Sequence, residues 1–413
     1  MKEIIQDKYI SDIDLKGYSE ESIFNSFLHA TFKGNFSISF WRNPLEKEKH
    51  LVVDLSGEGT GSSTNLQDSN SGFLFSAFDN SSNNSTHFIN ADLYFGTKEE
   101  SIVSKLGMAK RDPAEKKFRK DFQNFLKGNT KDKSPYFTTE LPPEKETNKR
   151  LFINTVTQSI KSINSGNFQK VVPAKTKVVP LSEKFKIIET FQKLCSHYPN
   201  AFVSLVSIPN VGTWMGATPE LLVNIDQKQQ IFKTVALAGT QIASQDLTTE
   251  TAAWRQKEIE EQAMVGRYII NCFKKIRLRE YEEIGPRTIQ AGNLLHLKSE
   301  FKVNMKATNF PELGSVMLDL LHPTSAVCGM PKEPALDFLK KHEPFDREYY
   351  SGFLGPVNIK EVTSLFVNLR CMKLVEKSAV LFAGAGVTAN SNAEKEWDET
   401  ELKCNTLLKV LKS

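Results

Sequence analysis

The stretch Leu381-Phe-Ala-Gly-Ala-Gly-Val-Thr-Ala-Asn390, followed by Glu396-Trp-Asp-Glu-Thr-Glu-Leu-Lys403, organises the reading of this chain. Its first half predicts a short apolar strand running into a Gly384-Ala385-Gly386 turn, and its second half a helix. Glu396, Glu399 and Lys403 stand at i, i+3 and i+7, so they share one stripe of that helix. Glycines at such a turn let the backbone approach a ligand and present bare N–H groups to an anion. Two carboxylates and an ammonium beside it point to a metal-plus-carboxylate site. The plain alternative is a solvated acidic helix face next to a structural loop. The rest of the sequence has to supply partners.

Working outward, a second carboxylate pair lies in Lys257-Glu258-Ile-Glu-Glu261-Gln-Ala-Met-Val265, inside a helix predicted over Thr248 to Phe273. Glu258 and Glu261 are one turn apart. Two helices that each bring such a pair can close around one hard divalent cation. Mg²⁺ takes one or two protein carboxylates, keeps waters, and completes its shell with substrate oxygens. The alternative is two acidic faces that never meet. Glu220 follows Thr218-Pro219 at the mouth of the apolar run Leu221-Leu-Val223. A carboxyl held against apolar residues stays protonated, as a general acid must, whereas a strand-edge glutamate is the bland reading. Lys170 opens the apolar strand Gln169 to Pro173, where desolvation favours a base; the alternative is a lysine snorkelling from the strand end. Ala238-Gly239-Thr240 ends another apolar strand and offers an amide and a hydroxyl. His322, in the turn-rich loop His322 to Gly329, reads as a structural hydrogen bonder. Arg370, expected within a strand over Leu365 to Leu374, reads equally as a carboxylate partner or a surface ion pair.

Strands are expected in the front section at Phe36 to Trp41, Leu51 to Leu55 and Gly72 to Phe78, with polar loops at Gly57 to Ser71 and Asn80 to Thr86. The charged, proline-containing segment Lys127 to Lys149 reads as a linker. Further strands are predicted at Ala201 to Ser207, Thr213 to Val223, Ile231 to Val235 and Phe301 to Met305. Helices are predicted at Leu151 to Ile163, Lys184 to Leu194, Pro334 to Lys341 and Ala393 to Leu411. Strands arrive in clusters with helices between the clusters, the pattern of an α+β fold with large antiparallel sheets. No repeat period recurs.

The chain has 413 residues and is 39% hydrophobic, enough for a large core. A formal charge of +4 is spread along it, apart from a lysine-rich stretch around Lys110 to Lys133. That stretch reads as a solvated helix face, because no nucleic-acid module accompanies it. The N-terminus lacks a signal-peptide pattern, and no apolar run approaches the ~18 residues of a membrane span. Five scattered cysteines without C-x-x-C spacing read as reduced thiols of a cytoplasmic protein. The Asn-x-Ser/Thr matches at Asn80, Asn83 and Asn84 then read as chance products of a polar loop. The sequence does not set the oligomeric state, and a monomer is compatible with it.

In this order, the pieces resemble the chorismate-utilising enzymes, and among them the isochorismate synthases. The matching motifs are Lys170-Val-Val, Gly216-Ala-Thr-Pro-Glu-Leu-Leu222, Leu237-Ala-Gly-Thr240, Lys257-Glu-x-x-Glu-Gln262 and His322-Pro-Thr-Ser-Ala326. They continue with Phe345-Asp-Arg347, Tyr350-Ser-Gly352, Phe382-Ala-Gly-Ala-Gly386 and Glu396-Trp-x-Glu-Thr400 with Lys403. The matches cover roughly residues 150 to 411, the expected catalytic core of a single large domain. Residues 1 to about 145 form its variable front section.

The resemblance implies two large antiparallel sheets packed face to face, helices outside, and a chorismate site between the sheets. It implies Mg²⁺ held directly by Glu261 and Glu399, with Glu258 and Glu396 supporting them. The metal would hold the ring carboxylate, with Lys403 close by. Arg370, Tyr350 and the Gly384/Gly386 turn would cradle the enolpyruvyl carboxylate, and Gly239 and Thr240 would add a substrate contact. Lys170 matches the base that activates water for attack at C2. Glu220 matches the acid that protonates the departing C4 hydroxyl.

The same positions separate the sister activities. Aminodeoxychorismate synthases carry a lysine nucleophile where this chain has Ala238. Anthranilate synthases lack the lysine that matches Lys170. Salicylate synthases, the nearest alternative, commonly carry threonine where this chain has Ala326. Two positions depart from the family pattern, Lys175 and Gln241, each of which is usually arginine. The isochorismate would feed menaquinone or siderophore biosynthesis.

Overall fold

Alternation in the front section builds strands that are covered on both faces. In Ser37–Arg42, Ile38 and Phe40 point into an outer core while Trp41 points into the layer between two sheets. This computed structural model of the protein describes residues 13, 15–57, 65–67, 69–79, 86–98, 102–104, 113–128, 135–140, 147–244, 246–291 and 294–412. The N-terminal residues, most of the two polar loops, the ends of the lysine-rich stretch and much of the expected linker lie outside these residues.

In chain order, α1 (Glu20–Gly34) precedes β1 (Ser37–Arg42), β2 (His50–Asp54), β3 (Gly72–Ser76), β4 (Thr86–Asn90), β5 (Leu93–Gly96) and β6 (Val103–Ser104). Helices α2 (Pro113–Gly128) and α3 (Lys149–Asn164) lead to β7 (Lys170–Val171), β8 (Ala174–Pro180) and α4 (Ile187–His197). A run of strands follows, β9 (Phe202–Ile208), β10 (Gly212–Thr218), β11 (Leu221–Asp226) and β12 (Ile231–Ile242), before α5 (Gln256–Lys275). Next come β13 (Glu282–Ala291), β14 (Leu294–Asn304), α6 (Leu313–Leu321), β15 (Gly329–Met330) and α7 (Lys332–His342). The remaining elements are β16 (Phe353–Val357), β17 (Val362–Val367), β18 (Cys371–Val375), β19 (Ser378–Gly384) and α8 (Ala393–Lys412).

The strands form a nine-stranded sheet, β6-β5-β2-β1-β9-β10-β18-β19-β8, and an eight-stranded sheet, β13-β14-β12-β11-β17-β16-β3-β4. Strands β7 and β15 pair separately. All strand pairs named in these sheets are antiparallel, for example β9–β10 and β12–β14. This is the expected α+β fold. Strands of the front section enter both sheets, and its described linker portion lies along the first one, where Thr213 donates to the Phe137 carbonyl at 2.7 Å.

The interface between the sheets is aromatic. Phe202 on β9 stacks on Phe366 of β17 at 4.2 Å and 9°. Phe75 on β3 stacks on Tyr349 at 4.1 Å. Such offset pairs add to the burial of their large apolar surfaces. Outside the nine-stranded sheet, α1, α2, α4 and α8 close a core containing Phe24, Phe122, Phe191 and Leu407. Outside the other sheet, α3, α5, α6 and α7 close one containing Phe152, Val265, Met317 and Phe338. The helix α2 is the apolar-striped helix behind the lysine-rich stretch: it buries Phe118, Phe122 and Leu126 and turns Lys116, Lys117 and Lys120 outward. All five cysteines are buried and free of disulfides. Among the described residues no helix is long and apolar enough to cross a membrane.

Three local expectations are corrected. The predicted strand Thr213 to Val223 is two strands, broken at Pro219-Glu220, because proline cannot continue the ladder there. The helix expected from Thr248 begins at Gln256. Hydroxyl groups divert the preceding residues into turns, with Thr251 Oγ1 accepting from the Thr248 amide at 2.9 Å, and Glu258 Oε2 caps the start by accepting from the Arg255 amide. Arg370 is not within a strand; it sits between β17 and β18 with φ 47°, in the left-handed region.

Candidate active site

The turns and strand ends where the two sheets meet α5 and α8 enclose one cavity. Twelve of the fourteen residues expected at a site line it, and the other two, Lys170 and Glu396, stand behind its wall. Lining it are Glu220, Gly239, Thr240, Glu258, Glu261, Ala326, Tyr350, Arg370, Gly384, Gly386, Glu399 and Lys403. Lys170 is buried at its wall, with Nζ 3.1 Å from Glu261 Oε1. Glu396 stays behind the rim at 2% exposure, paired with Lys257 at 3.4 Å.

Lys170 reaches the cavity because β7 is pinned on both sides. Its register is fixed by pairing with Met330, and the Val171 amide donates to the Val387 carbonyl at 3.1 Å. Gly386 explains itself here. A Cβ on it would stand 3.2 Å from Lys170 Cε and 3.4 Å from Glu261 Oε1, so a side chain at 386 would crowd the extended Lys170 and push it by a few tenths of an ångström. Gly384 is similarly hemmed, since a Cβ would meet the Tyr350 hydroxyl at 3.0 Å, and its carbonyl accepts from Lys403 Nζ at 2.8 Å.

Glu220 sits in the break between β10 and β11, 9% exposed. Burial raises its carboxyl from 4.5 to about 7, against the opposing pull of Lys170 and of a Thr324 hydroxyl 3.4 Å from Oε1. Glu261 behaves oppositely. Burial pushes it up, but the nearby Lys170, Lys403 and Lys257 outweigh that and hold it below its usual value. Burial, then repulsion from Glu399, raises Glu396. The cavity therefore holds one carboxyl that keeps its proton near neutrality and one that stays ionised, the separation that acid–base work requires.

Arg370 lowers to about 10 on burial and so stays cationic at neutral pH. Its Nη2 donates to His296 Nε2 at 3.1 Å, and His296 Nδ1 donates to the Gly239 carbonyl at 2.9 Å. Burial first, and Arg370 second, depress His296 to about 3, so the imidazole is neutral and its two nitrogens have fixed roles. His296 is a site residue that the sequence reading did not single out. It lies in the alternating Leu294 to Asn304 strand and carried no motif of its own. His322, in contrast, is structural as expected: it is buried, lies 3.2 Å from the Phe78 carbonyl through Nε2, and is depressed to about 4, first by burial.

Arg347 holds the walls together. Its guanidinium pairs with Glu343 and donates to the carbonyls of Val172 and Val327, at 2.6 and 2.9 Å. These carbonyls belong to the segments that carry Lys170 and Ala326. Of the two departures from the family pattern, Gln241 donates from Nε2 to the Ala253 carbonyl at 2.9 Å, and Lys175 pairs with Glu401.

Among the described residues no group of three or more His, Cys, Asp and Glu side chains forms a ready-made metal cage. Instead, lysines pair with the carboxylates: Lys170 with Glu261, Lys403 with Glu399 at 2.8 Å, and Lys257 with Glu396. This is an all-oxygen, anionic donor set. It fits a hard cation that takes few protein ligands, and it lacks the nitrogen and sulfur donors of a zinc site.

Known proteins are similar to this chain in part of the sequence and in architecture. Isochorismate synthase EntC of Escherichia coli K12 is 30% identical over 224 residues, which cover 53% of this chain and 56% of that protein. The chain thus spans about half the length of that curated relative. The solved structure of MenF, the menaquinone-specific isochorismate synthase of Escherichia coli, superposes with a TM-score of 0.73 at 18% identity, covering 98% of this chain and 97% of that one. Anthranilate synthase component I from Streptococcus pneumoniae superposes with a TM-score of 0.63, also at 18% identity, over 90% and 92% of the two chains. At these identities the superpositions establish the fold. The sequence family described as chorismate binding enzyme matches residues 76–412, and this chain belongs to it.

Proposed function

We propose that the protein is an isochorismate synthase, a Mg²⁺-dependent isomerase that converts chorismate reversibly to isochorismate. The fold alone does not choose the reaction, because an anthranilate synthase shares it. The observation that carries the reading is a buried lysine, Lys170, hydrogen-bonded to Glu261 of the cavity, together with a carboxyl held near neutrality, Glu220, that lines the same cavity. The similarity to EntC, named an isochorismate synthase, supports it.

In this mechanism Lys170 takes a proton from water as the water oxygen bonds to C2 of the ring. The ring double bonds shift, the C4–O bond breaks, and Glu220 gives its proton to the leaving hydroxyl. Water enters and water leaves, so the product is an isomer. In the reverse direction the same two groups exchange roles. Glu261 holds Lys170 Nζ by its 3.1 Å hydrogen bond, which aims the amine at one place in the cavity. Arg370 and Tyr350 receive the enolpyruvyl carboxylate, Arg370 being oriented by neutral His296. Gly239 and Thr240 lie on the same wall, next to His296. Lys403 serves the ring carboxylate.

Glu261 and Glu399, supported by Glu258 and Glu396, would hold Mg²⁺. When bound, the cation offsets carboxylate charge that a partly dry cavity would otherwise penalise. Ala238, which lines the cavity, carries no amine that could act as a nucleophile.

Product analysis tests the reading. Purified protein is incubated with chorismate and Mg²⁺, with an EDTA control, and the products are separated by chromatography. Metal-dependent isochorismate is expected. Salicylate and pyruvate as main products would move the assignment to a salicylate synthase, and anthranilate formed with ammonia would refute the water chemistry. The protein's place in menaquinone or siderophore biosynthesis is part of the same proposal, and loss of one or the other product on gene deletion reads it out.

A further inference from the structure

Helix α8 presents Glu399 and Lys403 to the cavity, so its rotation and axial position decide where those groups stand. A different face of the helix shows what sets that position. Trp397 and Glu401, one turn apart, meet β8, the edge strand of the nine-stranded sheet. Lys175 of β8 is 1% exposed; its Nζ lies 3.4 Å over the centroid of the Trp397 ring and pairs with Glu401 Oε1. Lys177, two residues along and on the same face of the strand, donates to Glu401 Oε2 at 2.5 Å. Both oxygens of Glu401 are thereby engaged. On its other side Trp397 meets Phe152 of α3 edge-on, with centroids 5.8 Å apart.

An ammonium removed from water is costly unless paired, and a ring face adds to the pairing. Lys175 is satisfied only with the ring and the carboxylate both in place, which defines one rotation and one height for α8. Trp397 lies two residues before Glu399, and Glu401 two residues before Lys403. The same strand begins four residues after Lys170. We propose that Lys175, Trp397 and Glu401, assisted by Lys177, form a clamp that positions α8 against β8. The clamp thereby sets the placement of Glu399 and Lys403 relative to Lys170. These are positioning residues, since none of them lines the cavity. The inference rests on the functional reading above for its substrate and metal.

The test compares wild type with Lys175→Met, Glu401→Gln, the double variant and Lys175→Arg. Mg²⁺ affinity is measured by calorimetry, and kcat and KM for chorismate by turnover. Lys175→Met and Glu401→Gln should each weaken Mg²⁺ binding about 10- to 100-fold, the usual effect of losing support behind a metal ligand. kcat should fall with it. The double variant should lose little more than either single one, because the two groups act as a unit. Arginine can both stack on the ring and pair with the carboxylate, so Lys175→Arg should recover most of the loss. A packing role alone would lower the melting temperature while leaving Mg²⁺ affinity and kcat at 25 °C unchanged, and that result overturns the proposal. Should Lys175→Met fail to fold, Glu401→Gln decides, since the Glu401 side chain is 35% exposed. Wild type that binds Mg²⁺ without turning over chorismate would refute the reaction instead, and the Mg²⁺ affinities of the variants would still judge the clamp.

Discussion

Replacing Glu220 by glutamine should make the protein nearly inactive and, at alkaline pH, more stable. Burial raises the carboxyl from 4.5 to about 7. At pH 7.5 about a quarter of the molecules then carry the catalytic proton, against roughly one in a thousand at the ordinary value. Folding favours the neutral form, so its contribution to stability is complete below pH 4.5, declines as pH rises, and is lost above about pH 7. The full change amounts to about 3 kcal/mol at roughly 1.4 kcal/mol per pH unit. Glutamine has the same shape and no charge to bury. Urea unfolding at pH 8.5 should show Glu220→Gln more stable than wild type by up to about 3 kcal/mol, with the advantage gone by pH 4.5. Turnover should drop about 100- to 10,000-fold, the usual worth of a general acid. In wild type, forward kcat should fall above about pH 7 as the acid loses its proton. A variant that is no more stable at pH 8.5 than at pH 4.5, relative to wild type, would refute the burial argument. A variant with near-normal turnover would refute the acid role.

Lys170→Ala should remove most turnover, about 100-fold or more, with the far-ultraviolet circular dichroism of the folded protein retained. Near-normal kcat would exclude it as the base. Gly386→Ala places a Cβ 3.2 Å from Lys170 Cε and should lower kcat; an unchanged kcat would show that the lysine is not confined there. Arg370→Ala should raise KM for chorismate about 10- to 100-fold, the worth of a charge-assisted carboxylate contact. His296→Leu should raise KM in the same direction by freeing the guanidinium, and no inflection from His296 should appear near pH 6.5, because burial holds it at about 3. A wild-type inflection that disappears in His296→Leu would contradict the neutral imidazole.

The fold was readable where strands alternate or run apolar and where helices carry a clean stripe. Ser37–Arg42, Gly72–Ser76 and Ala393–Lys412 all fall where the pattern places them. It was hidden where neither face has a uniform partner. Strand β13 is charged and largely exposed, so it shows no alternation, and α6 is apolar nearly all round and only nine residues long. The reach of the site residues was legible through ordered motifs, yet three features needed three dimensions. Arg370 adopts a left-handed backbone between strands that no local pattern announces. His296 gains its role only because β12 and β14 pair, which sets its ring 2.9 Å from the Gly239 carbonyl. Glu396 shares its helical stripe with Glu399 but lies one turn earlier, where Lys257 covers it.

The central claim is that Lys170 activates water for addition at C2 while Glu220 expels the C4 hydroxyl. Turnover of chorismate in ¹⁸O-water with Mg²⁺, followed by mass spectrometry of isochorismate formed in a short incubation, tests this directly. One ¹⁸O is expected in the product, located on C2. Isochorismate without label would mean that the original hydroxyl migrates within the site, and the acid–base assignment would fall with it.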